Sequence, residues 1–212
     1  MECRIIDLST YKRLQAFKLF SRMQSPYFSI TVKIDVTKVV EFCERRQVPF
    51  YTVFIHLASI VANRIPEFRQ RIYNDGIIEY DNCTSSNIEP LEGGSYCYCY
   101  LEHNMDWDSY LKYADKQREK SRKNPTSLEN TDILNFLYLN GAPSRVYEHV
   151  VMPFMNTKDS NPRITWGGYE EDFKGRLMMP LSLQVHQGLV DPSQIEAFYK
   201  MIEEEITKLE VI

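Results

Sequence analysis

The clearest regularity in the chain is a switch between two hydrophobic periods. Residues 27–34 (Tyr-Phe-Ser-Ile-Thr-Val-Lys-Ile) alternate with the period of two expected of a strand. Residues 95–101 do the same, which puts Tyr96, Tyr98 and Tyr100 on one face and Cys97 and Cys99 on the other. Residues 192–209 instead repeat Ile195, Phe198, Tyr199, Ile202 and Ile206 at the spacing of one helical stripe. Leu14, Phe17 and Phe20, behind Thr10 as a cap, predict a first helix over residues 10–22. A second helix is predicted from Asp35 or Thr37 to Arg45. Pro49 opens a third that reaches Asn63 and is apolar on most sides, so it belongs in the core. Residues 107–122 predict an exposed helix whose basic run, 116–123, contains two acids and reads as a solvated face.

The remaining segments read as sheet. Residues 69–73 and 77–80 flank Asn74-Asp75-Gly76, a strong hairpin signal. Residues 132–139 form an apolar strand, residues 141–162 are irregular and punctuated by proline, and residues 164–169 and 176–185 read as paired strands. Strands interleaved with helices predict an α/β or α+β fold, a sheet covered by helices, in a single domain over residues 1–212.

Composition narrows the function. The 212 residues carry 25 Lys and Arg against 29 Asp and Glu, a net charge of −4, so neither nucleic acid nor an anionic membrane has an electrostatic reason to bind. The longest apolar stretch, residues 50–62, is shorter than the roughly 20 residues a bilayer needs. The first residues carry an acid and no apolar run, so a signal peptide is not expected. Cysteines stand at 3, 43, 83, 97 and 99, an odd number without metal-ligand spacing. They are expected as buried, reduced thiols in a cytoplasmic protein without a bound metal. Four histidines are the candidate bases near neutral pH. His56 lies in the apolar third helix and reads as a satisfied core residue, while His103 sits at an apparent turn and reads as exposed.

Residues 180–192 read Pro-Leu-Ser-Leu-Gln-Val-His-Gln-Gly-Leu-Val-Asp-Pro. This resembles the C-terminal signature of chloramphenicol acetyltransferases, Gln-Val-His-His-Ala-Val-Cys-Asp-Gly. Phe50-Tyr51, Phe54-Ile55-His56, Pro66-Glu67-Phe68-Arg69 and Asp75-Gly76 resemble that family's N-terminal half in order and spacing. Phe28-Ser29 and Lys33-Ile34-Asp35 match its first long strand, and residues 160–169 match the segment before the signature. The resemblance implies a two-layer fold with a mixed β-sheet covered by helices. It also implies a homotrimer with sites at subunit interfaces, acetyl-CoA as cosubstrate with no permanently bound cofactor, and a small hydroxylated acceptor.

The resemblance also assigns roles. His186 matches the first histidine of the family's pair, but the second, the general base, is Gln187 here, and an amide cannot take up that proton near neutral pH. Asp191 and Arg13 match a structural ion pair. His149 falls at the position of an oxyanion-stabilising serine, Thr165 at a threonine supporting the acceptor end, and Tyr169 at a tyrosine beside the CoA adenine. Tyr27 and Phe28 fall in the acceptor-binding region. Gly168 and Pro49 occupy places where the family commonly has lysines for the CoA phosphates.

Two readings follow. In the first, roles are exchanged: His149 acts as base and the Gln187 amide donates to the oxyanion, as side-chain amides can. In the second, the chain keeps the fold and a pocket but binds a small molecule or partner without turnover. Ordinary chloramphenicol acetylation is disfavoured by Gln187. A relationship to the catalytic domain of dihydrolipoyl acyltransferases, which shares the fold, is a further alternative, and the single-domain chain without a lipoyl-bearing module speaks against it.

Overall fold

The computed structural model describes residues 2–125, 133–142 and 145–211. Its main sheet is seven-stranded. β2 (Tyr27–Asp35), β10 (Leu177–His186), β8 (Arg163–Gly167), β7 (Phe136–Ala142), β5 (Thr84–Pro90) and β6 (Tyr96–Leu101) follow one another in that spatial order, and short β9 (Glu170–Glu171) also pairs with β10. The pairs β5–β7 and β7–β8 are parallel and the rest antiparallel, so the sheet is mixed, as expected. A second, three-stranded sheet orders β1 (Cys3–Ile5), β4 (Gly76–Tyr80) and β3 (Gln70–Tyr73). The turn joining β3 to β4 holds Asn74 and Asp75 at positive φ, the geometry that the Asn-Asp-Gly sequence favours.

Helices cover one face. They are α1 (Leu14–Phe20), α2 (Thr37–Arg46), α3 (Phe50–Arg64), α4 (Trp107–Lys123) and α5 (Pro192–Lys208). Val53, Phe54, Ile55, Leu57, Val61 and Ala62 bury α3 on nearly every side, and α5 buries its Ile195, Phe198, Ile202 stripe. Alternation along β10 sends Leu181, Leu183 and Val185 into this core and Ser182, Gln184 and His186 to the opposite face. Among the described residues, no helix is long and apolar enough to cross a membrane, and no cluster of side chains has the makings of a metal site.

Several expectations need correction. The first helix is shorter than residues 10–22, because Asp7 organises the preceding turn by accepting from Ser9 and Thr10. The basic run of α4 is not simply solvated: Arg118 and Arg122 both turn inward to the buried Glu89. The strand expected from residue 132 begins at Phe136 after a short helical turn, and Asp132 itself lies outside the described residues. β1 and β5 had no clear signal in the sequence. Cys43, Cys83, Cys97 and Cys99 are buried free thiols, but Cys3 is exposed on β1.

His103 is buried rather than exposed, with Asn63 at 3.4 Å. His56 is a core residue, but it is held by stacking on Tyr110, ring centroids 3.7 Å apart, while its buried Nδ1 has no partner among the described residues.

Candidate functional site

The end of β10 is held from three sides. The Gln187 N–H donates to the Pro26 carbonyl at 2.8 Å, and the N–H groups of Leu189 and Val190 return to the His186 carbonyl. Arg13 donates to the Gln187 carbonyl at 2.9 Å and pairs with Asp191. Asp191 caps α5 through a reciprocal capping box with Gln194, and Pro192 fills the first helical turn. Burial pushes the Asp191 carboxyl up, but bonds from Ser193 and the charge of Arg13 outweigh it and hold the group below its ordinary range.

His186 is almost fully buried, edge-on to Tyr27 with centroids 5.5 Å apart. The Gly188 N–H donates to its Nδ1 at 3.0 Å, so that lone pair is occupied and the ring proton sits on Nε2. Burial lowers its pKa to about 4. A ring whose basic nitrogen is already engaged is poorly placed to act as a general base.

His149 lies elsewhere on the same sheet face. It is exposed, with Nδ1 3.4 Å from Thr31 Oγ1. Thr31 pairs across the sheet with Ser182, whereas Tyr27 pairs with His186. Four residues of strand, about 13 Å at the usual rise, therefore separate the His149 anchor from the level of His186 and Gln187. One chain alone does not bring His149 and Gln187 together. Thr165 lies at the level of the His149 anchor, buried on β8 beside Ser182 on one side and Asn140 on the other, and its carbonyl accepts from the Tyr147 hydroxyl at 2.8 Å.

Under the segment 152–155 the same face forms a cavity of about 230 Å³. Its walls are mostly apolar, with Tyr98, Tyr138, Phe154, Met152 and Met155. Arg163 also lines it, as do Ser86 and Asn140, whose Oγ and Oδ1 are buried without a protein hydrogen-bond partner among the described residues. Buried polar atoms are rarely left this way, and an apolar pocket with a few converging polar groups is the usual form of a small-molecule site.

Arg163 holds the covering segment. Its guanidinium bonds the Pro153 and Asn161 carbonyls, pairs with Asp159, and lies 3.8 Å from the centroid of the Phe154 ring. Phe154 in turn stacks on Tyr27, centroids 3.4 Å apart, and the Tyr27 hydroxyl donates to the Asn156 carbonyl. Phe28 points the other way, opposite Val185 and against the helix-side core. Met152, whose N–H donates to Gln184 Oε1, lines the cavity without filling it, and Trp166 lies in the core between Tyr51 and Phe54.

Tyr169 marks a different region. Half-exposed and tilted against Phe50, it borders two clefts. One, of about 350 Å³, is lined by Val40, Cys43, Glu44, Gln47, Val48 and Pro49. The other, of about 280 Å³, is lined by Tyr51, Trp166, Gly167 and Gly168. No lysine or arginine is among their lining residues.

The family model described as chloramphenicol acetyltransferase matches residues 1–203. The chain belongs to the chloramphenicol acetyltransferase family. Chloramphenicol acetyltransferase 3 of Escherichia coli is 24% identical over 204 residues, covering 93% of this chain and 94% of its own length. The Vibrio anguillarum chloramphenicol acetyltransferase is 23% identical over 225 residues, covering 99% and 97%. A solved chloramphenicol acetyltransferase superposes with a TM-score of 0.89 over 97% of this chain and 100% of that one, at 22% identity. A probable dihydrolipoamide acetyltransferase of Listeria monocytogenes shares the fold more distantly, with a TM-score of 0.69 at 15% identity over 92% of this chain and 89% of its own.

Within this family fold, sequence reasoning missed Thr31, Ser86, Asn140, Tyr147, Arg163 and Ser182. All six lie on or against the face opposite the helices. The signal available for Ser182 was the alternation of residues 181–186, which sets it apart from the inward Leu181, Leu183 and Val185.

Proposed function

We propose that the chain is an acyl-CoA-dependent O-acyltransferase in which His149 is the general base and the Gln187 amide donates to the oxyanion. The observation that carries this reading is the aromatic-walled cavity where Ser86 Oγ and Asn140 Oδ1 have no protein partner among the described residues, on the sheet face that also presents His149 and Thr165. A small hydroxylated acceptor fits there. Family membership supports the reaction class and acetyl-CoA as cosubstrate. The clefts beside Tyr169 offer the CoA end aromatic and backbone contacts but no cation for its phosphates.

The about 13 Å of strand between the His149 anchor and the Gln187 level supports a homotrimer, in which His149 of one copy and Gln187 of the next share a site. The buried free thiols support a reducing, cytoplasmic setting.

In this mechanism His149 removes the acceptor hydroxyl proton as the oxygen attacks the thioester carbonyl. The Gln187 amide stabilises the tetrahedral oxyanion. Collapse expels the CoA thiolate, which recovers the proton from the His149 imidazolium, so acyl-CoA and alcohol become ester and free CoA thiol.

The test is thiol release from acetyl-CoA across a panel of alcohols and amines. His149→Ala abolishes the release, whereas Gln187→Asn only reduces it. No release with any acceptor overturns the reading. A second reading, ligand binding without turnover, is favoured by one observation: Gln187 cannot take a proton and the His186 basic nitrogen is engaged by Gly188. It predicts acetylation only after Gln187→His combined with His149→Ser.

A further inference from the structure

We infer that the buried Arg163–Asp159 pair makes the cavity under residues 152–155 select an uncharged ligand of single-ring size, so that both are specificity-determining residues for the acceptor. The inference rests on the reading of this cavity as the acceptor site.

Arg163 is the one charged side chain among the cavity's described lining residues. It opens β8, beside Tyr138 of β7 in the sheet register. Its guanidinium carbon lies 5.1 Å from the centroid of the Tyr138 ring and 3.8 Å from that of Phe154, and both rings also line the cavity. A guanidinium held between aromatic walls ordinarily draws an anion.

Asp159 already stands in the anion's place. Its carboxylate meets Nη2 at 2.6 Å and Nη1 at 3.3 Å, and the two side chains are only 7% and 6% exposed, so water screens the pair little. The backbone holds that carboxylate in position, because the Met155 N–H donates to one oxygen at 3.0 Å and the Asn161 N–H to the other at 3.4 Å. The remaining guanidinium bonds go to carbonyls, from Nε to Pro153 at 3.0 Å and from Nη1 to Asn161 at 2.8 Å. These four bonds leave the guanidinium one N–H to donate and its charge already matched.

The consequence is a choice of ligand charge. A ligand anion would crowd the Asp159 carboxylate in a poorly hydrated site, and a ligand cation would face the guanidinium. An uncharged ligand meets neither cost. Size follows from volume. An apolar cavity of about 150 Å³ holds benzene, so about 230 Å³ takes one ring with a short substituent.

Calorimetric titration of the full chain, without acetyl-CoA, compares three alcohols of one shape: para-methylbenzyl alcohol, para-(hydroxymethyl)benzoate and para-(aminomethyl)benzyl alcohol. Native protein is expected to bind the first about tenfold or more tightly than either charged probe. Asp159→Asn keeps the side chain's shape and removes its charge. It should reverse the order in favour of the benzoate, which should also raise that variant's melting temperature. Asp159→Asn combined with Arg163→Met removes both charges and should bind the neutral alcohol without gaining affinity for the benzoate. Native protein that binds the benzoate as tightly as the neutral alcohol, or binds none of the three, overturns the inference whether or not Asp159→Asn folds. A folded Asp159→Asn with the native order also overturns it. Thiol release is measured on the same samples. Absent turnover with the expected binding order refutes the acyl-transfer reading and leaves the selectivity standing.

Discussion

The Arg13 guanidinium pairs with the Asp191 carboxylate through one nitrogen and donates to the Gln187 carbonyl through the other, 2.9 Å away. One side chain thus ties the residue after β10 to the residue that caps α5. Asp191 also accepts from the Ser193 N–H as a helix cap. Asp191→Ala removes both the pair and the cap and should lower unfolding stability by about 1–3 kcal/mol. Asp191→Asn, which still caps, should cost less. Thermal melts of the two variants separate the contributions. The folded carboxyl is held below its ordinary value of 3.8, so its contribution is complete above that value and is lost as pH falls through the folded pKa. The difference between Asp191→Asn and native protein should therefore vanish only in strong acid.

Three histidines give stability a second pH dependence, at milder acidity. Burial lowers His56 to about 3 and His103 and His186 to about 4, from an ordinary 6.5. The unfolded chain therefore binds more protons than the folded one below about pH 6.5. Their contribution is full above the unfolded value and is lost as pH falls from 6.5 toward 4. Unfolding free energies from urea titrations should drop across that window, by an amount on the order of several kcal/mol if all three groups act, and the urea midpoints with them. His56→Phe keeps a ring against Tyr110 and should flatten the drop. A midpoint indifferent to pH across the window counts against the buried, neutral state of these rings.

Ser86 separates stability from binding. Its hydroxyl is buried at the cavity wall with no protein partner among the described residues. Removing such a group relieves a desolvation cost of about 1–3 kcal/mol, offset by the small loss of packing at one atom. Ser86→Ala should thus leave stability unchanged or raise it. If the cavity holds the acceptor, the same change weakens acceptor binding, read as a raised KM. A Ser86→Ala protein that is clearly less stable would show that the hydroxyl serves the fold.

What the sequence revealed, and what it hid, follows from how local each feature is. The Asn74-Asp75 turn, the α5 stripe and the Asp191-Pro192 start were legible because each depends on neighbours in the chain. So was the alternation of residues 95–101, whose cysteines turn inward and whose tyrosines face outward. Arg118 and Arg122 were misread because their partner, Glu89, lies about thirty residues away on β5. His103 was misread as exposed because it follows a strand and neighbours Glu102 and Asn104, whereas its burial comes from α3 through Asn63. Thr31, Ser182 and Thr165 are unremarkable singly, and only the register of β2, β10 and β8 aligns them. The Gln187 substitution, by contrast, is visible in the sequence because the resemblance fixes what that position does in the family.

Gly188 gives the last prediction, and it concerns how far the family's signature can be restored. The signature resembled at residues 184–192 has alanine after the histidine pair, where this chain has glycine. A Cβ at position 188 would lie 2.9 Å from His186 Cε1 and 3.0 Å from its Nδ1. The ring has little room to yield, being almost fully buried and edge-on to Tyr27. It also receives the Gly188 N–H, so the backbone and the ring are already in contact. Gly188→Ala should therefore displace the His186 ring and cost about 1–2 kcal/mol, in the range of a crowded core. Gln187→His, at a half-buried position outside the strand, should be tolerated alone. Urea unfolding of the two single variants and the double variant tests this. The expected result is a double variant destabilised by as much as Gly188→Ala, with the His186 NMR signal moved in both proteins that carry the Gly188→Ala change. Full stability of Gly188→Ala would mean that the His186 ring has an alternative position, and with it a free Nδ1.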